Sequence, residues 1–333
     1  MKVLITGGAG YIGSTIASAC ADAGHTPVLV DDLTQGLRSN TREFALYEGD
    51  IADGALISRI VADHPDIDVV VHCAAKTVVP ESVADPMLYF DVNVGRSAAL
   101  LRHLAAHGVT RVIFSSSASV YVAEDGGGLA EEAPTGPSSP YALTKLVTEQ
   151  MLAAAAHAGS IRAISLRYFN PVGVDPLRRS GPTSPNPTHV LGLLVAAWRS
   201  GSAFTLTGTD WPTRDGTGVR DFVHVWDLAR AHVRALERFD DVVTPAEPYL
   251  MLNVGTGEGT TIRELVDEFI RVSGHDLTVI DGARRPGDVA GGFALVDKAQ
   301  ALLGWRAELT ISAAISDMLE WSTLRARSSA DRR

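Results

Sequence analysis

Tyr141 and Lys145 stand four residues apart in SPYALTK, so on a helix both side chains leave the same face. Ser139 and Pro140 just ahead supply an N-cap and a first-turn proline. A phenol beside an ammonium is an acid–base pair. Tyrosine loses its proton near pH 10, and acting as a base near neutrality costs about 4 kcal/mol. One cation about 5 Å away, at an effective dielectric near 20, supplies about 3 kcal/mol. Lys145 and one further positive charge would therefore suffice. The run FSSSASVY ends a β-branched segment, which directs Ser116 and Ser117 toward the same crevice.

A second group of residues names the source of that charge. Gly7, Gly10 and Gly13 follow the first apolar run at once and open a helical pattern. Such spacing lets the backbone turn tightly and approach a pyrophosphate seated on a helix N-terminus. Asp31 ends the second strand, near the distance at which a carboxylate meets the adenosine ribose. Asp32 beside it would repel a 2′-phosphate, so NAD is expected rather than NADP, with Arg38 the one nearby cation that opposes this. Asp50, in EGDI, is a candidate for the adenine edge or a simple turn. A further cluster, Gly255, Gly257 and Gly259, reads as a turn into a capped helix rather than as another nucleotide site.

These residues need a scaffold, and the first half supplies its rhythm. Lys2–Thr6, Pro27–Asp31, Phe44–Glu48, Asp68–Cys73 and Thr110–Ser115 read as strands, most of them apolar enough for burial on both faces. Helical stretches alternate with them, such as Ser97–His107 ending at Gly108. The fold class expected is α/β, a doubly wound parallel (Rossmann) sheet with a smaller C-terminal α/β substrate region. The division expected is 1–170 for the NAD half and 171–324 for a partly interleaved substrate half, with 325–333 a frayed tail. Gly173–Pro187 and Asp241–Pro248 read as loops, and Thr261–Val272 as a helix with a Thr261/Glu264 capping box and Gly274 past its end.

Composition narrows the class. The 333 residues are 46% hydrophobic and 20% charged, with net charge −10, the profile of a globular protein. Acidity argues against nucleic acid or anionic membrane as a general partner, so a phosphate must be met locally. Cys20 and Cys73 cannot build a disulfide framework or thiolate cage and read as buried bystanders. His103 and His107 lie one turn apart without a third ligand, so no metal is expected. The N-terminus lacks a signal-peptide core, and no run reaches the ~18 apolar residues needed to span a membrane. A cytoplasmic protein is expected.

Together the glycine fingerprint, the serine strand and the Tyr/Lys pair resemble the short-chain dehydrogenase/reductase superfamily. Within its extended branch the chain resembles the UDP-glucose (UDP-galactose) 4-epimerase family over nearly its whole length, from TGGAGYIG through HCAAKTVVPES, FSSSASVY, SPYALTK, RYFNPVG and DGTGVRDFVHVWDLARAH to RRPGD. The resemblance implies NAD-dependent 4-epimerisation of a UDP-sugar through a transient 4-keto sugar. It implies Ser117, Tyr141 and Lys145 as catalytic, and Lys145 as the cation that lowers the tyrosine pKa. With the glycines, Tyr11, Ile12, Asp31, Asp50, Ile51, Ala74, Asn93 and Tyr168 would line the NAD site. Asn170, His189, Arg220, Arg285 and Asp288 would hold the nucleotide sugar. A homodimer is implied, packed through helices near Ser97–His107 and Tyr141–Ala156.

Departures from the family bear on the sugar. Gly292 stands where a bulky residue can wall the pocket, which suggests room for an N-acetyl group. Arg178 and Arg179 enter the loop after RYFNPVG, where a forked cation suits the carboxylate of UDP-glucuronate. UDP-glucose/UDP-galactose remains the expected pair, ahead of UDP-glucuronate and UDP-N-acetylglucosamine. A 4,6-dehydratase would need Asp-Glu where Ala118 and Ser119 stand. A net reductase, or a nonenzymatic NAD-sensing protein of the same fold, is a lesser alternative.

Overall fold

The computed structural model describes residues 1–41, 44–123, 125–184, 187–285 and 288–330. Seven strands form its central sheet in the order Tyr249–Val254, Arg162–Tyr168, Arg111–Ser115, Ile67–His72, Lys2–Thr6, Thr26–Asp31, Ala45–Glu48. Every pairing is parallel. The order reverses between Lys2–Thr6 and Ile67–His72, and in an open sheet ligands bind at such a switch point, beyond the carboxyl ends of the strands.

The apolar runs are buried on both faces, as the sequence implies. Ile16, Cys20, Leu228 and Leu236 of the helices Tyr11–Asp22 and Val225–Glu237 cover one face. Leu56, Ile60, Leu100, Leu104 and Leu152 of the helices Gly54–Asp63, Arg96–Ala106 and Pro140–His157 cover the other. Ala45–Glu48 lies at the sheet edge and is half-buried or exposed. The strand nearest the other edge, Tyr249–Val254, comes from far down the chain.

Beyond the sheet, a separate apolar core gathers Leu191, Leu194, Phe222, Leu265, Phe269 and Met318. Its helix Ile262–Ser273 carries the expected capping box and ends on left-handed Gly274. Two expectations are corrected. Residues 325–330 continue the helix Ile311–Ala330 rather than fray, because its inner face is anchored by Ala314, Ile315 and Met318; residues 331–333 lie outside the described residues. Asp241 and Val242 end a short helix, Phe239–Val242, instead of opening a loop. Among the described residues no helix is long and apolar enough to cross a membrane.

Candidate active site

The glycine fingerprint forms a cradle that excludes side chains. A Cβ on Gly13 would sit 2.2 Å from the Gly7 carbonyl oxygen. The helix Tyr11–Asp22 starts at Gly10 without a side-chain cap, leaving its first amides for an anion. Asp31 holds the loop from beneath, accepting from Ala9 N at 2.9 Å and Leu33 N at 2.8 Å. Each carboxylate oxygen keeps a further lone pair for a hydroxyl. Arg38 is ion-paired with Glu48, so the cation that opposed the choice of NAD already has a counter-charge. The residues present therefore fit a dinucleotide.

Several expected cofactor residues have partners of their own. Asp50 accepts from Ala52 N at 2.9 Å and pairs with Arg96 at 2.7 Å, and Ile51 is buried beside it. Ile12 packs against the core of the sheet. Tyr11 donates to the Gly173 carbonyl at 2.6 Å. Ala74 N donates to Thr6 Oγ1 at 3.1 Å. Asn93 sits in a π-helical turn, accepts from Lys76 N at 2.8 Å, and donates to Lys76 O and Thr144 Oγ1 at 3.0 Å each. It thereby ties the segment after the fourth strand of the chain to the helix that bears Tyr141. Tyr168 ends its strand, buried.

Ser139 caps the helix Pro140–His157. Tyr141 and Lys145 follow, only 8% and 2% exposed. Ser117, just past Arg111–Ser115, caps a 3₁₀ turn and lies 2.9 Å from Ser119 Oγ. Lys145 Nζ donates to Ser115 O at 2.8 Å and lies 4.8 Å from the Phe114 ring centroid. Burial pushes the Tyr141 phenol up to about 12, with the Ser117 hydroxyl pulling the other way, and pushes Lys145 down to about 8. Desolvation penalises both charged forms, and the ammonium is turned toward the strand carbonyl.

Of the expected sugar-side residues, Asn170 opens a parallel pair, Asn170–Val172 with Phe222–His224, and Arg220 lies just ahead of its second strand. Asn170 Nδ2 donates to Asp221 O at 3.2 Å. Arg220 pairs with Asp288 at 3.1 Å and also donates to the Val219, Val289 and Ala290 carbonyls. Arg285 is exposed, and Pro286 and Gly287 of the RRPGD motif lie outside the described residues. His189 caps the helix Val190–Ser200, accepting from Gly192 N at 3.1 Å. The second glycine cluster is a turn, and it wraps a buried carboxylate: Asp221 accepts from Thr256 N, Thr256 Oγ1 and Gly257 N.

Both hints about the sugar meet competing contacts in the structure. Arg179 makes a forked pair with Asp22 at 2.7 and 2.8 Å and a third bond to Asp175. Arg178 pairs with Asp317 and Glu320. Both guanidiniums already have carboxylates. Gly292 lies in the strand Gly291–Ala294, where a Cβ would meet the Gly127 carbonyl oxygen at 2.7 Å. Backbone, not empty space, occupies the position a side chain would take.

Sequence reasoning missed one group. Glu149 and Arg167, each 3% exposed in the side chain, form a buried pair behind the Tyr/Lys helix face. The signal was present: a charged residue in the apolar strand RAISLRY demands a partner, and Glu149 follows Lys145 by one turn.

A model of the "NAD dependent epimerase/dehydratase family" matches residues 3–255. The chain is 41% identical to a UDP-glucose 4-epimerase of Azospirillum brasilense, covering 91% of this chain and 86% of that one. It is similar to the crystal structure of a UDP-glucose 4-epimerase from Stenotrophomonas maltophila with bound NAD and formylated UDP-arabinopyranose (TM-score 0.93, 36% identity, 98% and 99% of the two chains). It also matches the enzyme from Bifidobacterium longum in complex with NAD+ and UDP (TM-score 0.90, 35% identity, 98% and 99%).

Proposed function

The chain belongs to the NAD dependent epimerase/dehydratase family, as a relative of the UDP-glucose 4-epimerases, and from that premise we infer that it interconverts UDP-glucose and UDP-galactose. The observation that carries the reading is the buried Tyr141–Lys145 face beside Ser117 in a fold that cradles a dinucleotide. NAD held by the glycine cradle and Asp31 would supply the hydride acceptor and donor needed at carbon 4 and, in its oxidised form, a positive charge.

The chain's own residues do the rest. Tyr141 takes the proton of the 4-hydroxyl as a phenolate and returns it to the 4-keto sugar after the sugar has turned in the pocket. Ser117 hydrogen-bonds the reacting oxygen. Lys145, on the same helix, orders the nicotinamide ribose and offers the ammonium that lowers the tyrosine pKa in the loaded site. Gly7, Gly10, Tyr11, Ile12, Gly13, Asp31, Asp50, Ile51, Ala74, Asn93 and Tyr168 hold the cofactor. Arg220 and Arg285 take the diphosphate, a match of forked cations to an acidic protein's anionic ligand. Asn170, His189 and Asp288 hold the remainder of the nucleotide sugar, Asp288 at the uridine ribose. Residues 1–170 form most of the NAD half and 171–324 most of the sugar half.

Incubation with UDP-glucose, UDP-glucuronate and UDP-N-acetylglucosamine, followed by separation of products, tests the reading. Conversion of UDP-glucose is expected to dominate, and to persist when Arg178 and Arg179 are changed to alanine. A preference for UDP-glucuronate that vanishes in that variant would overturn it. The enzyme acts in the cytoplasm as a homodimer packed through the helices Arg96–Ala106 and Pro140–His157. Leu143, 38% exposed on the second of these, supports that face. Light scattering at micromolar concentration is expected to give twice the chain mass; a monomer would remove the dimer.

A further inference from the structure

Glu149 lies on the same helix as Tyr141 and Lys145, one turn beyond the lysine. Its carboxylate is buried and bonds to residues of two neighbouring segments. Ser116 Oγ, at the end of Arg111–Ser115, donates to Oε1 at 2.5 Å. Arg167 Nε donates to Oε1 at 2.9 Å, and Arg167 Nη2 donates to Oε2 at 2.6 Å. Arg167 is further fixed by the Glu131 carbonyl and by the Tyr121 ring, 4.8 Å away. Each partner adjoins a proposed site residue: Ser116 precedes Ser117, and Arg167 precedes Tyr168. We propose that Glu149 is a positioning residue for epimerisation, a buried counter-charge that fixes the Ser116–Ser117 corner and keeps the Lys145 ammonium charged within the site. This rests on the roles given above to Tyr141 and Lys145.

The charges around Lys145 support the proposal. From the neighbouring strands it meets the Ser115 carbonyl, the Phe114 ring, His72 and Cys73. Burial drives His72 down to about 3, so it is neutral. Burial also drives the Cys73 thiol up to about 11, so it is not a thiolate at working pH. Cys73 and then Glu149 pull the lysine pKa up against desolvation; with the thiol protonated, Glu149 is the standing negative charge among these described groups. The sign follows. Activity that needs the ammonium falls as pH rises through the lysine pKa. Removing the carboxylate's charge, and leaving Arg167 unpaired, lowers that pKa and moves the alkaline limb to lower pH.

The experiment is the pH profile of kcat for UDP-galactose, on enzyme with its NAD content measured. It compares the unaltered chain, Glu149→Gln, the double variant Glu149→Gln/Arg167→Gln, and Tyr141→Phe as a control. Glu149→Gln keeps the side-chain shape and an acceptor for Ser116. Its alkaline limb is expected about one pH unit below that of the unaltered enzyme. The double variant, which buries no unpaired charge, is expected to lie between the two; should the single variant not fold, the double variant's limb below the unaltered one carries the result. A limb unmoved in every folded variant overturns the proposal. Tyr141→Phe with full turnover would instead overturn the acid–base assignment, so the two failures are distinguishable.

Discussion

Turnover of UDP-galactose is expected to fall about a hundredfold or more when Tyr141 becomes phenylalanine, the range for losing a positioned acid–base group. The ring is buried and keeps its packing in the variant, so NAD content and melting temperature are expected to change little. That contrast identifies the lost hydroxyl as chemical rather than structural. The protein alone holds the phenol near 12 by burial, so the phenolate must be stabilised in the loaded enzyme by charge near the hydroxyl. An unchanged kcat would remove Tyr141 from the mechanism.

The second large effect concerns the cofactor. Gly13→Ala places a Cβ 2.2 Å from the Gly7 carbonyl oxygen, 2.9 Å from its carbon and 3.1 Å from Gly8 Cα. The obstacle is backbone, and it cannot easily retreat. Gly7 N donates to Val30 O at 2.9 Å, and the same Gly7 oxygen accepts from Gly10 N at 3.1 Å. Overpacking of this kind costs up to about 3 kcal/mol, which is about a hundredfold in NAD affinity if the loop shift is felt at the pyrophosphate. Purified Gly13→Ala is expected to release little or no NAD on acid denaturation while keeping its helical circular dichroism. A full complement of NAD in that variant would refute the assignment of this loop.

Much of this site was legible because its signals are local. The glycine spacing, the serine-ended strand, the Ser139 cap and the four-residue step from Tyr141 to Lys145 depend on neighbours within a turn or two. So does the Thr261/Glu264 capping box. Local backbone preference and helix periodicity write such features directly into the chain.

By itself, then, the sequence determined the parallel sheet of the first half, the dinucleotide cradle and the shared face of the acid–base pair. What the tertiary structure decided are matters of distant partners. Arg179 meets Asp22 157 positions away, and Arg178 meets Asp317 139 positions away, so their charges are satisfied inside the protein. Gly292 is crowded by the Gly127 carbonyl, which no local pattern announces. The strand Tyr249–Val254 enters the main sheet from beyond the expected division. The tyrosine and lysine pKa values depend on how deeply all their surroundings exclude water. Burial and charge pairing sum over groups that only folding brings together, whereas caps, turns and helix faces are set by residues already adjacent in the chain.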